Sequence, residues 1–385
     1  MTQSKIHFSE QAIAINTQLV ESIIEKITRS GGSISFADFM HSALYEPDLG
    51  YYQNVLQTFG EEGDFVTAPE ISNLFAKAVA ESLAELAEQS LGLINIMEIG
   101  AGQGTFAFDL MGELASRALR VRYHILEPSA RLQGVQREKL SPLSTLPNVE
   151  IDWLSALPED FIGVIFANEV IDAMPVERIK KTPNGWHYQG VICGEEGFEW
   201  CELQPVESRN LPALILKHED RYPEGYVTEI RPIAGAWIKS IADCLNSGVI
   251  LLVDYGYPQN EYYHPQRVVG TLKCFSRHQM NDEPFERVGL QDITAHVDFT
   301  QLAQSAHDSG LQVAGFTTQA GFLLASNLLH DLTSENQLST YKMSQQIQML
   351  MTPGQMGEVV KVLQLAKNPA CLATGFDFQD HLHRL

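Results

Sequence analysis

A glycine-rich turn limits the folds open to this chain more than any other feature. The run Leu93–Ile99 is predicted as a short buried strand, and Thr105–Ser116 has the periodicity of a helix. Between them lie three alternating glycines, Gly100, Gly102 and Gly104. Glycine at a strand-to-helix turn permits tight backbone angles and lets a ligand approach the main chain closely. The turn therefore predicts a strand–loop–helix unit with a ligand above it.

Strand-like and helix-like runs alternate around this turn. Strands are predicted over 121–127, 162–168 and 249–254, with helices over 130–140 and 232–245. Strands joined by crossover helices form a parallel, doubly wound sheet, so the fold class is α/β. Residues 176–228 interrupt the alternation with short β-like runs and an Asn184-Gly185 hairpin signal. This interval is predicted to be an antiparallel β insertion.

Helices are predicted towards both ends of the chain. Apolar spacing indicates them over 10–29, over 35–44 and from Ser72 to about Leu91. Later, Asp298 and Gln301 form a capping box for a helix that ends at Ser309, and Phe322–Ala325 is β-like. The predicted parts are an N-terminal helical cap (1–70), a core (71–330) that contains the insertion, and a mostly helical C-terminal segment (331–385).

The charge balance excludes one class of partner. The net charge is −22, with 48 acidic and 26 basic residues, whereas a nucleic-acid grip needs a surplus of Lys and Arg. An acidic surface attracts a cationic substrate, although it can also serve solubility alone. The 5 cysteines are widely spaced and include no C-x-x-C pair, which argues against a disulfide framework and a metal site.

The N-terminus carries no recognisable targeting signal. No basic start precedes an apolar stretch, and Glu10, Glu21 and Glu25 are unlike an acid-poor transit peptide. The longest apolar run, Val249–Val253, is far too short to span a bilayer. These features predict a cytoplasmic location without membrane contact.

Two acidic side chains suggest which ligand the glycine turn binds. Glu98 precedes the first glycine, where a carboxylate would repel pyrophosphate but attract the ammonium group of an amino acid. Glu127 ends the next predicted strand, where a carboxylate accepts hydrogen bonds from ribose hydroxyls. S-adenosylmethionine (SAM) has both groups and no phosphate. A nicotinamide or flavin nucleotide, or a tight turn without a ligand, are the alternatives.

A further polar group follows the strand over 162–168. Asn168, Glu169 and Asp172 should face the methyl donor, because ligands bind beyond the carboxyl ends of parallel strands. Glu169 and Asp172 could hold a guanidinium bidentately in line with the methyl group. Alternatively, Asp172 caps a turn before Pro175 and Glu169 braces the loop. His296 could take a proton or orient the substrate, or be structural.

Several segments resemble the MidA family of SAM-dependent methyltransferases, whose mitochondrial members assist assembly of respiratory complex I. They appear in one order along most of the chain: Gly63–Ser72, the glycine turn, Glu127-Pro128-Ser129, Asn168-Glu169 with Asp172-Ala173, Asp254-Tyr255-Gly256, Asp292–Phe299 and Met356-Gly357. The resemblance implies a Rossmann-like, seven-stranded class I methyltransferase sheet with an N-terminal helical cap.

The resemblance also implies an activity, which is protein arginine methylation of the symmetric dimethyl type. The expected methyl donor is SAM, no metal is expected, and the substrate would be a protein with an exposed arginine, such as a respiratory-complex subunit. An oligomer is left open. A non-catalytic assembly factor with this fold and a small-molecule methyltransferase are the rival functions.

The candidate site residues fall into two sets. We expect the cofactor to be bound by Glu98, Gly100, Ala101, Gly102, Gly104, Thr105, Glu127 and Asn168, with Thr67 and Pro69 from the segment that closes over it. We expect the catalytic residues to be Glu169, Asp172 and His296.

Overall fold

The computed structural model describes residues 8–54, 56, 68–89, 93–277, 279–326, 345–352, 356–368 and 374–385. The chain divides into two units. The first comprises Met1–Phe65, Ala173–Ile233 and Tyr263–Ala295, and the second comprises Val66–Asp172, Ala234–Tyr262 and His296–Leu385. These two units do not coincide with the parts predicted from the sequence, whose boundaries are at 70 and 330, because the insertion shares a unit with the N-terminal helices.

The described strands, in chain order, are β1 Ile34–Ser35, β2 Leu93–Ile99, β3 Arg120–Leu126, β4 Val149–Leu154, β5 Phe161–Asn168, β6 Glu177–Thr182, β7 Gly185–Cys193, β8 Phe198–Pro205, β9 Val227–Ile230, β10 Leu245–Tyr257, β11 Lys273–Ser276, β12 Gln279–Asn281, β13 Asp292–Thr294, β14 Val297–Asp298, β15 Gln312–Thr318 and β16 Val360–Lys367. The described α-helices are α1 Glu10–Arg29, α2 Phe36–Tyr45, α3 Ala68–Ile71, α4 Leu74–Gln89, α5 Thr105–Ser116, α6 Ala130–Leu140, α7 Ala213–Lys217, α8 Pro232–Cys244, α9 Gln259–Tyr262, α10 Phe299–Asp308, α11 Gln319–Ala325, α12 345–351 and α13 Met356–Val359.

Seven strands of the second unit form a continuous sheet in the order β15-β16-β10-β5-β2-β3-β4, and β14 pairs with β10 off this path. From β10 to β4 neighbouring strands are parallel, whereas β16 is antiparallel to both β10 and β15. The predicted seven-stranded α/β fold is therefore confirmed. β4 was not among the predicted strands.

Aromatic packing holds the glycine turn's helix onto the sheet. Phe106 of α5 stacks on Phe166 of β5 with ring centroids 4.1 Å apart, and Phe75 of α4 packs against both rings. All three side chains are almost fully buried. Because the first turn of α5 is anchored to the middle of β5, the turn that precedes it is held above the same part of the sheet.

The first unit contains the predicted antiparallel insertion. Its main sheet has the order β1-β7-β6-β9, with β8 paired to β7, and β11, β12 and β13 form a smaller antiparallel sheet. The predicted hairpin joins β6 and β7, but its turn is at Pro183-Asn184, one residue earlier than predicted, and Gly185, with a φ of 106°, is the first residue of β7. Helices α1 and α2 supply apolar residues such as Ile23, Phe36 and Phe39 to this unit's core.

Two sequence-based element assignments are wrong. Residues 322–325 belong to helix α11 rather than to a strand, and the Thr318 hydroxyl caps that helix by accepting from the Gly321 N–H at 3.0 Å. The C-terminal segment is not mostly helical at 360–367, which form the buried strand β16. An apolar run of this length fits a helix or an inner strand equally well. No described helix is both long and apolar enough to cross a bilayer.

Candidate active site

The glycine turn between β2 and α5 has the backbone that its sequence predicts. Gly100, Gly102 and Gly104 all have positive φ, at 70°, 52° and 79°. A Cβ atom on Gly100 would lie 2.9 Å from Cγ2 of Val170, whereas one on Gly102 would meet nothing within 4 Å. The turn thus contacts the segment after β5 at one glycine and is open at the next.

Glu98 lies buried at the end of β2, just below this turn. Its side chain is 3% exposed, and Oε2 accepts a hydrogen bond of 2.8 Å from the Tyr123 hydroxyl. Burial raises the pKa of Glu98 to about 8, the bond from Tyr123 opposes the rise, and the charge of Glu127 adds to it. The two carboxyls predicted to bind the cofactor are therefore close enough to repel each other.

Glu127 follows directly after β3, and Gln136 of α6 joins it to the glycine turn. Oε1 of Glu127 accepts from the Ser129 N–H at 3.0 Å, and Oε2 accepts from Nε2 of Gln136 at 3.3 Å. The same Nε2 donates to the Gly102 carbonyl at 2.8 Å. Burial raises the pKa of Glu127, and these hydrogen bonds and the charge of Arg131 oppose the rise. Sequence reasoning missed Gln136.

The segment after β5 brings the predicted acidic pair to the same end of the sheet. Glu169 has a φ of 51°, a left-handed conformation that is uncommon for residues other than glycine and often marks a functional site. Its N–H donates to the Val253 carbonyl at 2.8 Å. Asp254 at the end of β10 accepts with Oδ2 from the N–H groups of Ile171, at 2.9 Å, and Asp172, at 3.2 Å.

Charge repulsion is concentrated in this segment. The pKa of Glu169 is raised well above its usual range, first by burial and then by the charges of Asp172 and Asp254. A hydrogen bond with Asn168 acts in the opposite direction. Oε1 of Glu169 is buried and has no hydrogen-bond partner among the described residues. Burial and the same three carboxyls also raise the pKa of the nearby Tyr255 hydroxyl. A cation would relieve this repulsion.

The remaining predicted residues occupy varied positions. The Ala101 carbonyl accepts from the Gly104 N–H at 2.7 Å within the turn, and the Thr105 hydroxyl accepts a short hydrogen bond from Lys139. Asn168 ends β5 and pairs with Val253. His296 is half-buried, with its ring edge-on to Tyr257 at a centroid distance of 5.1 Å. Thr67 lies outside the described residues, and Pro69 is in α3.

Asp298 lies two residues after His296. Its Oδ1 accepts from the Gln301 N–H at 3.1 Å, so the predicted helix cap is confirmed.

The donor set fits SAM better than a phosphate-bearing nucleotide. The space above Gly102 is open, the buried Glu98 comes two residues before Gly100, and Gln136 joins the buried Glu127 to the turn. Carboxyls in that position repel a pyrophosphate and accept hydrogen bonds from ammonium and hydroxyl groups. Within the part of the chain that the structure describes, no cluster of three or more His, Cys, Asp or Glu is arranged to hold a metal ion.

Residues 74–317 match the family model Methyltransf_28, described as "Putative S-adenosyl-L-methionine-dependent methyltransferase". The chain belongs to this family. A crystal structure of a COG1565 superfamily member from Burkholderia thailandensis, bound to S-adenosylhomocysteine, has 35% sequence identity, covers 99% of this chain and 100% of its own, and superposes with a TM-score of 0.92. The chain is thus a SAM-dependent methyltransferase, and its resemblance to the MidA family is confirmed.

Curated relatives share most of the chain's length. The mitochondrial protein arginine methyltransferase NDUFAF7 of Danio rerio is 28% identical over 90% of this chain and 86% of its own. The Homo sapiens protein of the same name is 26% identical over 89% of this chain and 82% of its own. The expectation of a cytoplasmic protein is contradicted by these relatives, whose names place them in mitochondria.

Proposed function

We propose that this methyltransferase transfers the methyl group to the guanidinium of an arginine in a protein substrate. The observation that carries the proposal is the crowded acidic segment Glu169–Asp172, which touches the glycine turn through Val170 and Gly100. Curated relatives over nine-tenths of the chain are named protein arginine methyltransferases, which supports the same substrate class.

The donor's binding follows from the turn and the two buried carboxyls. Gly102 leaves the space into which the donor fits, Glu98 attracts its ammonium group, and Glu127 accepts from its ribose hydroxyls. SAM, when bound, supplies an electrophilic methyl group. Side chains of the protein bind the two ends of the donor, and the geometry of the glycine turn sets the direction of its methyl group.

Glu169 and Asp172 hold the acceptor. A guanidinium stays protonated at physiological pH, so its lone pairs are delocalised and its nitrogens are poor nucleophiles. Two carboxylates on one side of the planar guanidinium attract its positive charge towards themselves. They also orient the nitrogen on the other side for in-line attack on the methyl group. After transfer, the methylated nitrogen gives up a proton. Glu169, ionised while it pairs with the guanidinium, can accept this proton, because burial and the charges of Asp172 and Asp254 favour its protonated form.

The remaining expectations also form part of the proposal. The half-buried His296 orients the substrate, and Asn168 lies beside the donor. The product is symmetric dimethylarginine, as the MidA resemblance implies, and a respiratory-complex subunit is the expected target.

Incubation of the purified protein with radiolabelled SAM and native lysate tests the proposal. We expect a labelled protein band whose modified residue, mapped by mass spectrometry, is a symmetrically dimethylated arginine. Glu169→Gln should abolish the label and spare S-adenosylhomocysteine affinity, and the exposed Glu150→Gln on β4 is the matched control. Label on small molecules alone, or no transfer despite donor binding, would overturn the arginine assignment.

A further inference from the structure

We infer that Gln136 is a positioning residue that couples the glycine turn to Glu127, so that both halves of the donor site keep one geometry. The inference rests on the proposed donor site but concerns a residue with no predicted role. Gln136 lies on α6, is 0% exposed, and reaches three partners that come from different parts of the sheet unit.

All polar atoms of the Gln136 amide are engaged. Nε2 donates to the Gly102 carbonyl at 2.8 Å and to Oε2 of Glu127 at 3.3 Å. Oε1 accepts from the Trp153 indole N–H at 2.9 Å. An amide has two N–H donors on one side and a carbonyl acceptor on the other, so these partners define a single orientation. A flipped amide would set its oxygen against two other acceptor oxygens.

Trp153 also contacts the residue that follows Gln136 on α6. The Arg137 guanidinium lies 4.5 Å from the centre of the Trp153 ring. The indole therefore cannot turn away from Gln136 without losing a cation–π contact. In consequence the amide is fixed at its acceptor end by β4, while its donor end fixes two features of the candidate site.

The first feature is the direction of the Gly102 peptide. Gly102 has a φ of 52°, and a Cβ added to it would meet nothing within 4 Å, so no atom packs against that side of the residue. The hydrogen bond from Gln136 holds its carbonyl on the side of α6. Close packing of the Gln136 side chain near Gly104, 3.4 Å from where a Cβ would lie, supports the same arrangement.

The second feature is the charge and direction of the Glu127 carboxyl. Burial disfavours its ionised form, and the Gln136 hydrogen bond is one of the contacts that favour it. With Oε1 facing the Ser129 N–H and Oε2 facing Gln136, the carboxylate is held by one contact on each oxygen. A carboxylate oxygen has two lone pairs, so each can still accept from one of two vicinal ribose hydroxyls.

The chain contains a matched control on the same helix. Gln133 is the same residue type, and its Nε2 donates to the backbone carbonyl of Glu127 at 2.7 Å. That bond reaches the main chain of Glu127 rather than its carboxylate or the glycine turn. Loss of Gln133 therefore removes a comparable bond to the same residue while leaving the coupling in place.

The test measures S-adenosylhomocysteine affinity by calorimetry, with thermal unfolding as the folding control. Gln136→Met should lower the affinity about tenfold or more, consistent with the loss of hydrogen bonds to one charged and one neutral group, and Gln133→Met should change it less than about twofold. In the Glu127→Gln background, Gln136→Met should cost much less than in the wild type, because residues that act through each other are not additive. Equal losses in both backgrounds would overturn the inference.

Gln136→Glu provides a second variant if Gln136→Met does not fold. When the introduced carboxyl is protonated it can still donate to Glu127, whereas its ionised form repels Glu127. The affinity of this variant should therefore be highest at acidic pH, although below that of the wild type because one O–H replaces two N–H donors, and should fall as the pH rises, with no such fall in Gln133→Glu. Parallel pH profiles would overturn the inference. Wild-type protein that takes up no S-adenosylhomocysteine would overturn the donor site itself, and the role of Gln136 with it.

Discussion

Tyr123 of β3 donates a hydrogen bond of 2.8 Å to Oε2 of Glu98 on the neighbouring strand β2. Both side chains are buried, and burial still raises the pKa of Glu98 to about 8. The carboxyl is therefore held in a place where its ionised form is disfavoured until a positive group arrives. A site that binds an ammonium group would have this property, and it makes the stability of the ligand-free protein depend on pH.

Glu98→Gln should stabilise the ligand-free protein increasingly as the pH rises. The folded protein keeps a proton on Glu98 that the unfolded chain releases near the ordinary pKa of 4.5. The wild type therefore loses about 1.4 kcal/mol of unfolding free energy per pH unit between roughly pH 5 and pH 8 from this group, and the variant does not. Denaturant unfolding at several pH values measures the gap, which should be small at pH 5.

A second substitution checks the assignment to Glu98. Tyr123→Phe removes the bond that favours the ionised carboxyl, so the pH-dependent loss should extend to higher pH than in the wild type. Wild-type and Glu98→Gln curves that run parallel across this range would contradict the prediction.

Gly102→Val should abolish S-adenosylhomocysteine binding without unfolding the protein. The new side chain would occupy the space in which no atom now lies within 4 Å of a Cβ. Gly310→Val is the matched control, because Gly310 also has positive φ, 78°, and open space, but lies at the end of α10. Both variants should lose about 1–2 kcal/mol of unfolding free energy to the left-handed backbone. Retained binding in Gly102→Val, measured by calorimetry, would rule out this site.

The glycine turn and the carboxyls at the ends of β2 and β3 could be predicted from local sequence, because glycine spacing and acidic strand ends are local features. Gln136 could not be predicted. It lies within a polar stretch of α6, and its importance comes from partners on β4, on Glu127 and in the glycine turn that only the fold brings together. Thr105 is predicted to bind the cofactor because it follows the glycine turn. Its hydroxyl accepts a hydrogen bond from Lys139, a contact that local sequence does not predict either.

The strands of the large sheet could also be predicted only in part from local sequence. The parallel strands β2, β3, β5 and β10 are apolar runs between helices, so their periodicity predicts them. Strand β16 enters between β10 and β15 from the C-terminal segment and runs antiparallel to both. Its pairing depends on contacts between residues far apart in sequence, which no local pattern contains.

Glu169→Gly should stabilise the protein and abolish methyl transfer. Glycine accepts a φ of 51° without the cost that a side chain incurs, and the substitution also removes a buried carboxyl whose ionisation Asp172 and Asp254 oppose. Glu169→Gln removes only the ionisable group, so the difference in melting temperature between the two variants measures the backbone strain. We expect both to melt above the wild type at pH 8. A destabilised Glu169→Gln would contradict the repulsion on which the acidic site depends.

Asp254→Asn should slow turnover while leaving S-adenosylhomocysteine affinity within about threefold of the wild type, since Asp254 accepts hydrogen bonds from the backbone of the acidic segment. Its carboxylate accepts with Oδ2 from Ile171 and Asp172 and with Oδ1 from the Tyr255 N–H at 2.8 Å. An amide can accept on only one side, so at least one buried N–H loses its partner, at a cost of about 1–3 kcal/mol.

The loosened segment should lower kcat about tenfold or more, because Glu169 and Asp172 would no longer be held in one orientation for the guanidinium. Asp243→Asn, on the exposed surface of α8, controls for loss of an acidic side chain. Steady-state kinetics with calorimetry separate the two effects. A variant that loses donor affinity and turnover together would show that Asp254 supports the glycine turn instead. An unchanged kcat would show that turnover does not depend on the orientation of the acidic segment.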